Sequence, residues 1–372
     1  MASLARAYFA VKPCLLILSL GERRSVNSMQ ATVRIPTEQP YRKLWDTFVY
    51  FENEQTTSEF LRNRYTESGF ENVQKHVYQA TPKFIFSIKQ AREYYRAAEA
   101  CDILTKPLLL YYGMMALSKA LITSHDPDYP STTSVLKHGL STRKLKREEY
   151  AFADDEVRVQ KDGIFHVLHK TLGGPPLENQ QRFAMKELLA VIPELIPTYQ
   201  RLYGQAKVGT LDILREEERR ARWKLQRTFV AGCDKTRDEL VDILNRYSGE
   251  ETRFFYPEDG EEAGMFAVAV EGEDAGHPLI LYDFSGRPHL RFPHGEDLLL
   301  PELTVHYMIM FVLGMLCRYE TERWGEMILT FSSHDTFVIN DFLNVSMRKF
   351  PNLILDQLCR ERTIFYTPHH PH

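Results

Sequence analysis

The stretch Leu108–Lys144, LLLYYGMMALSKALITSHDPDYPSTTSVLKHGLSTRK, begins in oily residues and ends in His, Ser, Thr, Arg and Lys. Its first half predicts a helix from about Lys106 to Thr123, with Pro107 in the first turn, where a missing N–H is harmless. Between Leu108 and Leu117 that helix is apolar on nearly every side, the pattern of a helix buried in protein or in lipid. Lys106 and Lys119 bracket only about 12 residues, against the roughly 20 that a bilayer requires, so protein is the expected surrounding. Gly113, Ala116 and Ala120 form a stripe of small side chains. A mid-helix Gly costs about 1 kcal/mol against Ala, so another helix is expected to cross closely there. HDPDYPSTTS reads as a turn, and STTSVLKHGLSTRK as a short capped helical turn ended by Gly139.

A second helix of the same kind, VHYMIMFVLGMLCRYE, follows Pro301 and carries its own mid-helix glycine, Gly314. The two are expected to touch inside one bundle. Around them, YRKLWDTFVYFEN places Leu44, Phe48 and Phe51 on one face. TTSEFLRNRY takes Thr57-Ser58 as its N-cap, and SIKQAREYYRAAEACDIL is expected to be helical after Ser87. The chain from Gly139 to about Gly174 reads as irregular, with helix resuming after Pro175-Pro176. Helix or loop is expected up to about Glu218 and strand after it; TRDELVDILNRYSG is a helix stopped by Gly249; GMFAVAVEG, HPLILYDFSG and PHLRFP are antiparallel strands between turns. The expected fold class is therefore α+β and predominantly α-helical, a helical bundle with a small antiparallel β-containing subdomain. The expected boundaries are 1–36 as an extension, 37–205 helical, 206–298 the α+β subdomain, and 299–366 C-terminal helices packing on the first helical part.

With 44% hydrophobic and 26% charged residues, the 372-residue chain has the composition of a folded globular protein. A net charge of -4 supplies no overall basic field to draw nucleic acid. Cys14, Cys101, Cys233, Cys317 and Cys359 are scattered and show no metal-ligand spacing, so neither zinc nor a disulfide framework is expected and a reducing compartment fits. The apolar run Cys14–Leu20 is too short and too poorly flanked for a signal peptide. Residues 1–36 are therefore read as a disordered or mis-started extension, with Met29 an alternative start.

No GxGxxG, GxxxxGK[ST], HExxH or GxSxG string occurs. The candidate constellation is His125, His138, Ser141, Arg143 and Lys144, with Thr142 among them. They follow a rigid helix, where binding residues are often held. Arg and Lys beside free N–H groups hold phosphate or carboxylate, and a nearby His moves protons near neutral pH. The alternative is that His138 and Arg143 form structural ion pairs with Asp154, Asp155 or Glu156. In RYETERW, Arg318 is either an anion ligand or a partner for last-turn carbonyls, with Trp324 filling a groove. SSHDTF reads as a helix start with Asp335 in its first turn, since a triad requires convergence in space and not in sequence.

KPLLLYYGMMALSKALI, YPSTTSVLKHGLSTRK, DGIFHVLH and LGMLCRYETERWGE together resemble the YaaC-like proteins of Bacillus-type bacteria, over about Tyr41 to Arg362. The resemblance implies a cytoplasmic bacterial protein and carries no settled activity. More distantly, AREYYRAAEACDILTKPLLLYYGMMALSKALI resembles the helix pair of HEPN domains. That likeness implies a HEPN-like bundle, and in many members a metal-independent RNase with an Arg-x4–6-His motif on a late helix. Here only Arg287…His294 and Arg362…His369 match, a number that chance alone gives, and neither lies on such a helix.

The expected function is therefore a binding protein without catalysis. It would hold an anionic ligand (a nucleotide or RNA phosphate) or a protein partner, with a homodimer also open. No cofactor, metal or membrane is expected. The alternative is a divergent HEPN-like endoribonuclease.

Overall fold

The structure, a computed structural model, describes residues 32–142, 150–217, 220–226, 235–248, 253–255, 265–271, 277–291, 299–330 and 334–368. Strand β1 (Thr32–Pro36) opens it and is followed by helices α1 (Pro40–Phe48), α2 (Glu54–Glu67), α3 (Val73–Ala100) and α4 (Lys106–His125). Next come β2 (Leu140–Thr142), β3 (Glu156–Val159), α5 (Ile164–Thr171), β4 (Arg182–Ala184), α6 (Met185–Leu189) and α7 (Ile196–Tyr203). A β-rich module then runs through β5 (Val208–Glu217), β6 (Arg220–Gln226), α8 (Arg237–Arg246), β7 (Arg253–Phe255), β8 (Met265–Glu271), β9 (Ile280–Tyr282) and β10 (Pro288–Arg291). Helices α9 (Glu302–Tyr319), α10 (Thr321–Leu329) and α11 (Asp335–Cys359) and strand β11 (Arg362–Tyr366) complete the chain. The protein is thus predominantly α-helical α+β.

Two glycines fix how the apolar helices meet. A methyl carbon built on Gly113 would stand 2.7 Å from the Tyr95 ring of α3, and one on Gly314 would stand 3.3 Å from Cβ of Tyr111 on α4. Helix α4 therefore crosses α3 at Gly113 and α9 at Gly314, with Tyr111 wedged between (Tyr111–Phe311 ring centroids 5.6 Å). Thirteen residues of α4 and fourteen of α9 are buried. Together with α1–α3, α10 and α11 they form one large apolar cluster. No helix of the described residues is long and apolar enough to cross a membrane.

Several local readings change. Helix α2 begins at Glu54, because Asn53 in an extended conformation accepts from the amides of Gln55 and Thr56; Thr57 instead donates to the Phe51 carbonyl, 2.9 Å away. Helix α3 begins at Val73 and runs through Pro82, well before Ser87. The proline removes one backbone bond, but Val77, Ala80, Phe84, Ile85 and Ile88 are buried on either side of it and packing carries the helix through. The stretch expected to be irregular holds β2, β3 and α5, and β4, the third strand of the antiparallel sheet β2-β3-β4, lies where helix was expected to resume after Pro176. Residues 32–36, expected to belong to a structureless extension, pair in parallel with β11.

The module is a six-stranded sheet of order β7-β8-β6-β5-β10-β9, with antiparallel neighbours throughout. The stretch up to Glu217 is strand β5, not helix or loop: Leu211 lies opposite Leu225 and Ile213 opposite Trp223. Hairpin pairing with β6, itself paired with β8, overrides the helix preference of the Glu- and Arg-rich run. Helix α8 starts in a capping box, with Glu239 accepting from the Thr236 amide at 2.7 Å and Thr236 from that of Glu239 at 3.3 Å. Gly249, its expected stop, lies outside the described residues. The module has its own small core, centred on Trp223 and Phe254 with ring centroids 4.7 Å apart.

Candidate functional site

The close approach at Gly314 sets the site. Tyr111 meets Tyr307 and Phe311 of α9, the Tyr111 and Tyr307 hydroxyls standing 3.4 Å apart. After α4 the chain turns back along the helix, so His138 lies beside the N-terminal half of α4, not at its end. His138 Nδ1 and the Tyr111 hydroxyl share a hydrogen bond of 2.7 Å, and the imidazole packs 5.7 Å from the Phe311 ring.

Backbone contact holds His138 in place. Gly139 (φ +77°) and Gly163 (φ +139°) cross so closely that a methyl carbon on Gly163 would lie 2.3 Å from the Gly139 nitrogen. Only glycine adopts both conformations without strain. The Ile164 amide then donates to the Lys137 carbonyl at 2.8 Å, the Phe165 amide to the His138 carbonyl at 3.3 Å, and the Gln160 amide to the Gly139 carbonyl at 2.9 Å.

Arg318, at the exposed end of α9, completes the face. Its Nη1 donates to the Tyr112 hydroxyl at 3.0 Å, and the guanidinium lies over the Tyr319 ring at 4.9 Å. Tyr112 in turn stacks on Tyr94, 5.7 Å away and 25° from parallel. Partial burial, and then the nearby positive charge of Arg318, hold His138 below the usual imidazole range, so at neutral pH it is uncharged. Nδ1 is engaged with Tyr111, and among the described residues Nε2 has no hydrogen bond. Burial pushes the Tyr111 hydroxyl far up, so it remains a neutral donor and acceptor.

The sequence candidates are not all brought together. His125 lies fourteen residues beyond Tyr111 on α4, roughly 21 Å of helix rise, at the opposite end. There its Nδ1–H donates to the Leu121 carbonyl at 3.0 Å. Burial and the neighbouring Arg64 lower its pKa to about 4, so it is a neutral, internally satisfied side chain. Ser141 is near His138 in β2 and accepts from Gln160 Nε2 at 2.5 Å. Arg143 and Lys144 lie outside the described residues. Among the described residues His138 makes no ion pair with Asp154, Asp155 or Glu156: it is engaged with Tyr111, Asp155 accepts from Tyr150 (2.7 Å) and from the Glu156 amide (2.8 Å), and Glu156 faces Arg158 and Arg182.

Asp335 begins α11 as expected, accepting from the Phe152 amide at 2.6 Å and the Tyr203 hydroxyl at 3.0 Å, a buried structural role. Trp324 fills a groove and donates to the Leu104 carbonyl at 2.9 Å. Tyr111 and Tyr112, read as core, belong to the face. The signal that could have identified them is Gly314: a close crossing there must bring the Tyr-Tyr turn of α4 against the helix that ends in Arg318.

A family model described as YaaC-like Protein matches residues 49–358, most of the chain. No curated protein and no solved structure matches it.

Proposed function

The chain belongs to the YaaC-like protein family, and on that premise we propose that it is a binding protein for a phosphate-bearing ligand, a nucleotide or RNA, held without catalysis at the Tyr111–His138–Arg318 face. The observation that carries this reading is the meeting of an exposed guanidinium with a neutral imidazole and a stacked tyrosine pair. Arg318 offers charge-assisted bonds to phosphate oxygens. His138 Nε2 offers a further polar contact, and exposed ring surface at Tyr319 offers a platform for a base. Arg143 and Lys144 directly follow Thr142 in the chain and are included in the proposal as further phosphate contacts.

The test is fluorescence anisotropy of the full chain with a labelled adenine nucleotide and with a short labelled RNA. A hydrogen bond to a charged group contributes about 1.5–3 kcal/mol, so Arg318→Ala should weaken binding by about 10- to 150-fold. Arg143→Ala with Lys144→Ala should weaken it further. Unchanged affinity in both Arg318→Ala and His138→Ala would sink the reading.

A second reading keeps the likeness to HEPN domains and makes the face a metal-independent endoribonuclease. What favours it is that Arg318 and His138 lie close in space although no Arg-x4–6-His string joins them. Arg318 would stabilise a pentacoordinate phosphate and His138 would move a proton. RNA cleavage in EDTA, abolished by His138→Ala, supports this reading over the first. Intact RNA with retained binding supports the first.

A further inference from the structure

The helix pair that carries the phosphate face continues beyond it. Tyr112 of α4 stacks on Tyr94 of α3. Seven residues further along α4, Lys119 lines an open groove of about 410 Å³ together with Phe86, Ser87, Lys89, Gln90 and Glu93, which lie up to eight residues back along α3. The two helices therefore run antiparallel and share one outward face. On it Phe86, Lys89, Gln90 and Glu93 are exposed, and Tyr112, Met115 and Lys119 are half-buried.

The groove is short of negative charge. Among the described residues neither Lys89 nor Lys119 has a carboxylate partner. Glu93, the acidic residue in the lining, is paired with Arg96 at 3.1 Å. Burial lowers the Lys119 ammonium from its usual range, and no acid opposes that effect. A partly desolvated cation without a partner is costly in the free protein, and an anion laid against it recovers part of that cost. Phe86 stands at the mouth with 67% of its surface exposed, so its ring does not serve the core.

The spacing decides what kind of anion fits. At 1.5 Å of rise per residue, Tyr112 and Lys119 are about 10 Å apart along α4. Arg318, which donates to the Tyr112 hydroxyl, and the lysine pair are thus two separate cationic stations on one surface. At about 3.4 Å per phosphate in a stacked strand, that gap spans about three nucleotides. A nucleoside monophosphate reaches one station and a short strand reaches both.

We propose that the phosphate face is one end of a track for single-stranded nucleic acid, running over the α3–α4 surface from Tyr319 and Arg318 past Tyr112 and Tyr94 to Lys119, Lys89 and Phe86. The proposal rests on the phosphate-binding reading and extends it from one nucleotide to several. Arg318 holds one phosphate and the lysines hold others. The exposed rings of Tyr319 and Phe86 offer stacking surface for bases at the two ends.

The experiment is fluorescence anisotropy of the full chain with labelled hexa-adenylate as RNA and as DNA, with unlabelled AMP, ATP and poly-glutamate as competitors. Either hexamer should bind at least tenfold tighter than AMP or ATP, and the tighter of the two names the polymer. Lys89→Ala with Lys119→Ala should weaken the hexamer at least tenfold and leave AMP within twofold. With a salt slope of about -0.7 per phosphate contact on a single strand, losing two contacts should reduce the slope by about 1.4. Phe86→Ala, at an exposed position, should weaken the hexamer about fivefold or more through lost stacking, and it serves as the test if the lysine variant does not fold. Hexamer bound no tighter than ATP, displacement by poly-glutamate at equal charge, or hexamer affinity unchanged in the folded variants would overturn the track. If Arg318→Ala still abolishes binding in that last case, the phosphate face stands alone; if no nucleotide or strand binds the wild type, face and track fall together.

Discussion

Replacing Lys349 by Met removes a charge that joins four parts of the chain. Its ammonium touches Glu194 before α7, Glu302 at the start of α9 and the Tyr282 carbonyl of β9, while its own stem belongs to α11. The side chains of Lys349, Glu194 and Glu302 are 5%, 7% and 8% exposed, so water does not replace what is lost. Breaking a buried ion pair by deleting one partner costs about 3–5 kcal/mol, because an uncompensated charge stays behind. Here two carboxylates stay behind, so the upper part of that range is expected. With a urea m-value of about 3 kcal/mol/M, the midpoint should fall by about 1–1.7 M, followed by dichroism and by Trp fluorescence. Without the ammonium the Glu302 carboxyl, already raised by burial, is pushed further up. The native state then holds more protons than the unfolded one, and stability falls as pH rises. The loss should therefore be larger at pH 8 than at pH 5. Adding Glu194→Gln and Glu302→Gln to Lys349→Met should restore most of it, since the isolated charges are gone. A single variant within about 1 kcal/mol of wild type, or a triple variant no better than the single, would refute this account of the junction.

Gly113→Ala should lower stability by up to about 2 kcal/mol, because overpacking costs about 1–3 kcal/mol against about 1 gained in helix propensity; Gly314→Ala, with 3.3 Å rather than 2.7 Å of room, should be neutral or up to about 1 kcal/mol stabilising, and the order of the two urea midpoints decides. In the wild type, Glu302 and Asp356 at about 7 in the fold favour the native state at low pH, and that advantage fades as pH climbs from about 4 through 7. His306 at about 3 and His125 at about 4 act the other way: burial keeps them neutral, and the stability they allow is lost as pH falls below 6.5. Glu302→Gln removes one opposing limb, so its stability should drop more steeply than wild type between pH 6.5 and 5 in chemical denaturation.

What could be read from the sequence was set by local pattern. Helices α4 and α9 declare themselves because a helix oily on all sides has to be buried, and Gly113 and Gly314 mark close crossings because a mid-helix glycine is otherwise unfavourable. The start of α3 and the strand β5 were not legible. Pro82 and the Glu- and Arg-rich run each argue locally against what tertiary packing and cross-strand pairing impose. The candidate site was half legible. His138 is on it, but His125 only looked adjacent; twelve residues of chain lie between the two, and they fold back along α4 so that the histidines end up at opposite ends. Arg318 and Tyr112 are 206 positions apart, and only the crossing of α4 and α9 joins them. The cavity lined by β9, the start of α9, α11 and β11 gave no local sign at all, because its walls come from widely separated parts of the chain.

Helix α9 shows why chemistry gathers at the ends of such a helix. From Tyr307 to Gly314 it is buried without a charge. A charged side chain there would lose its hydration with no partner in reach, at a cost of several kcal/mol. The carboxylate, imidazole and guanidinium that α9 carries stand within a turn or so of its termini: Glu302 and His306 at the start, where other elements bring Lys349 and Ser346 to meet them, and Arg318 at the end, where solvent and Tyr112 do. His306 marks the inner limit of that tolerance. It survives full burial by staying neutral and sharing its Nδ1 with the Ser346 hydroxyl at 2.9 Å. The apolar middle therefore fixes the helix in place, and the polar ends it positions are where its side chains meet other elements or solvent, the proposed phosphate face at Arg318 among them.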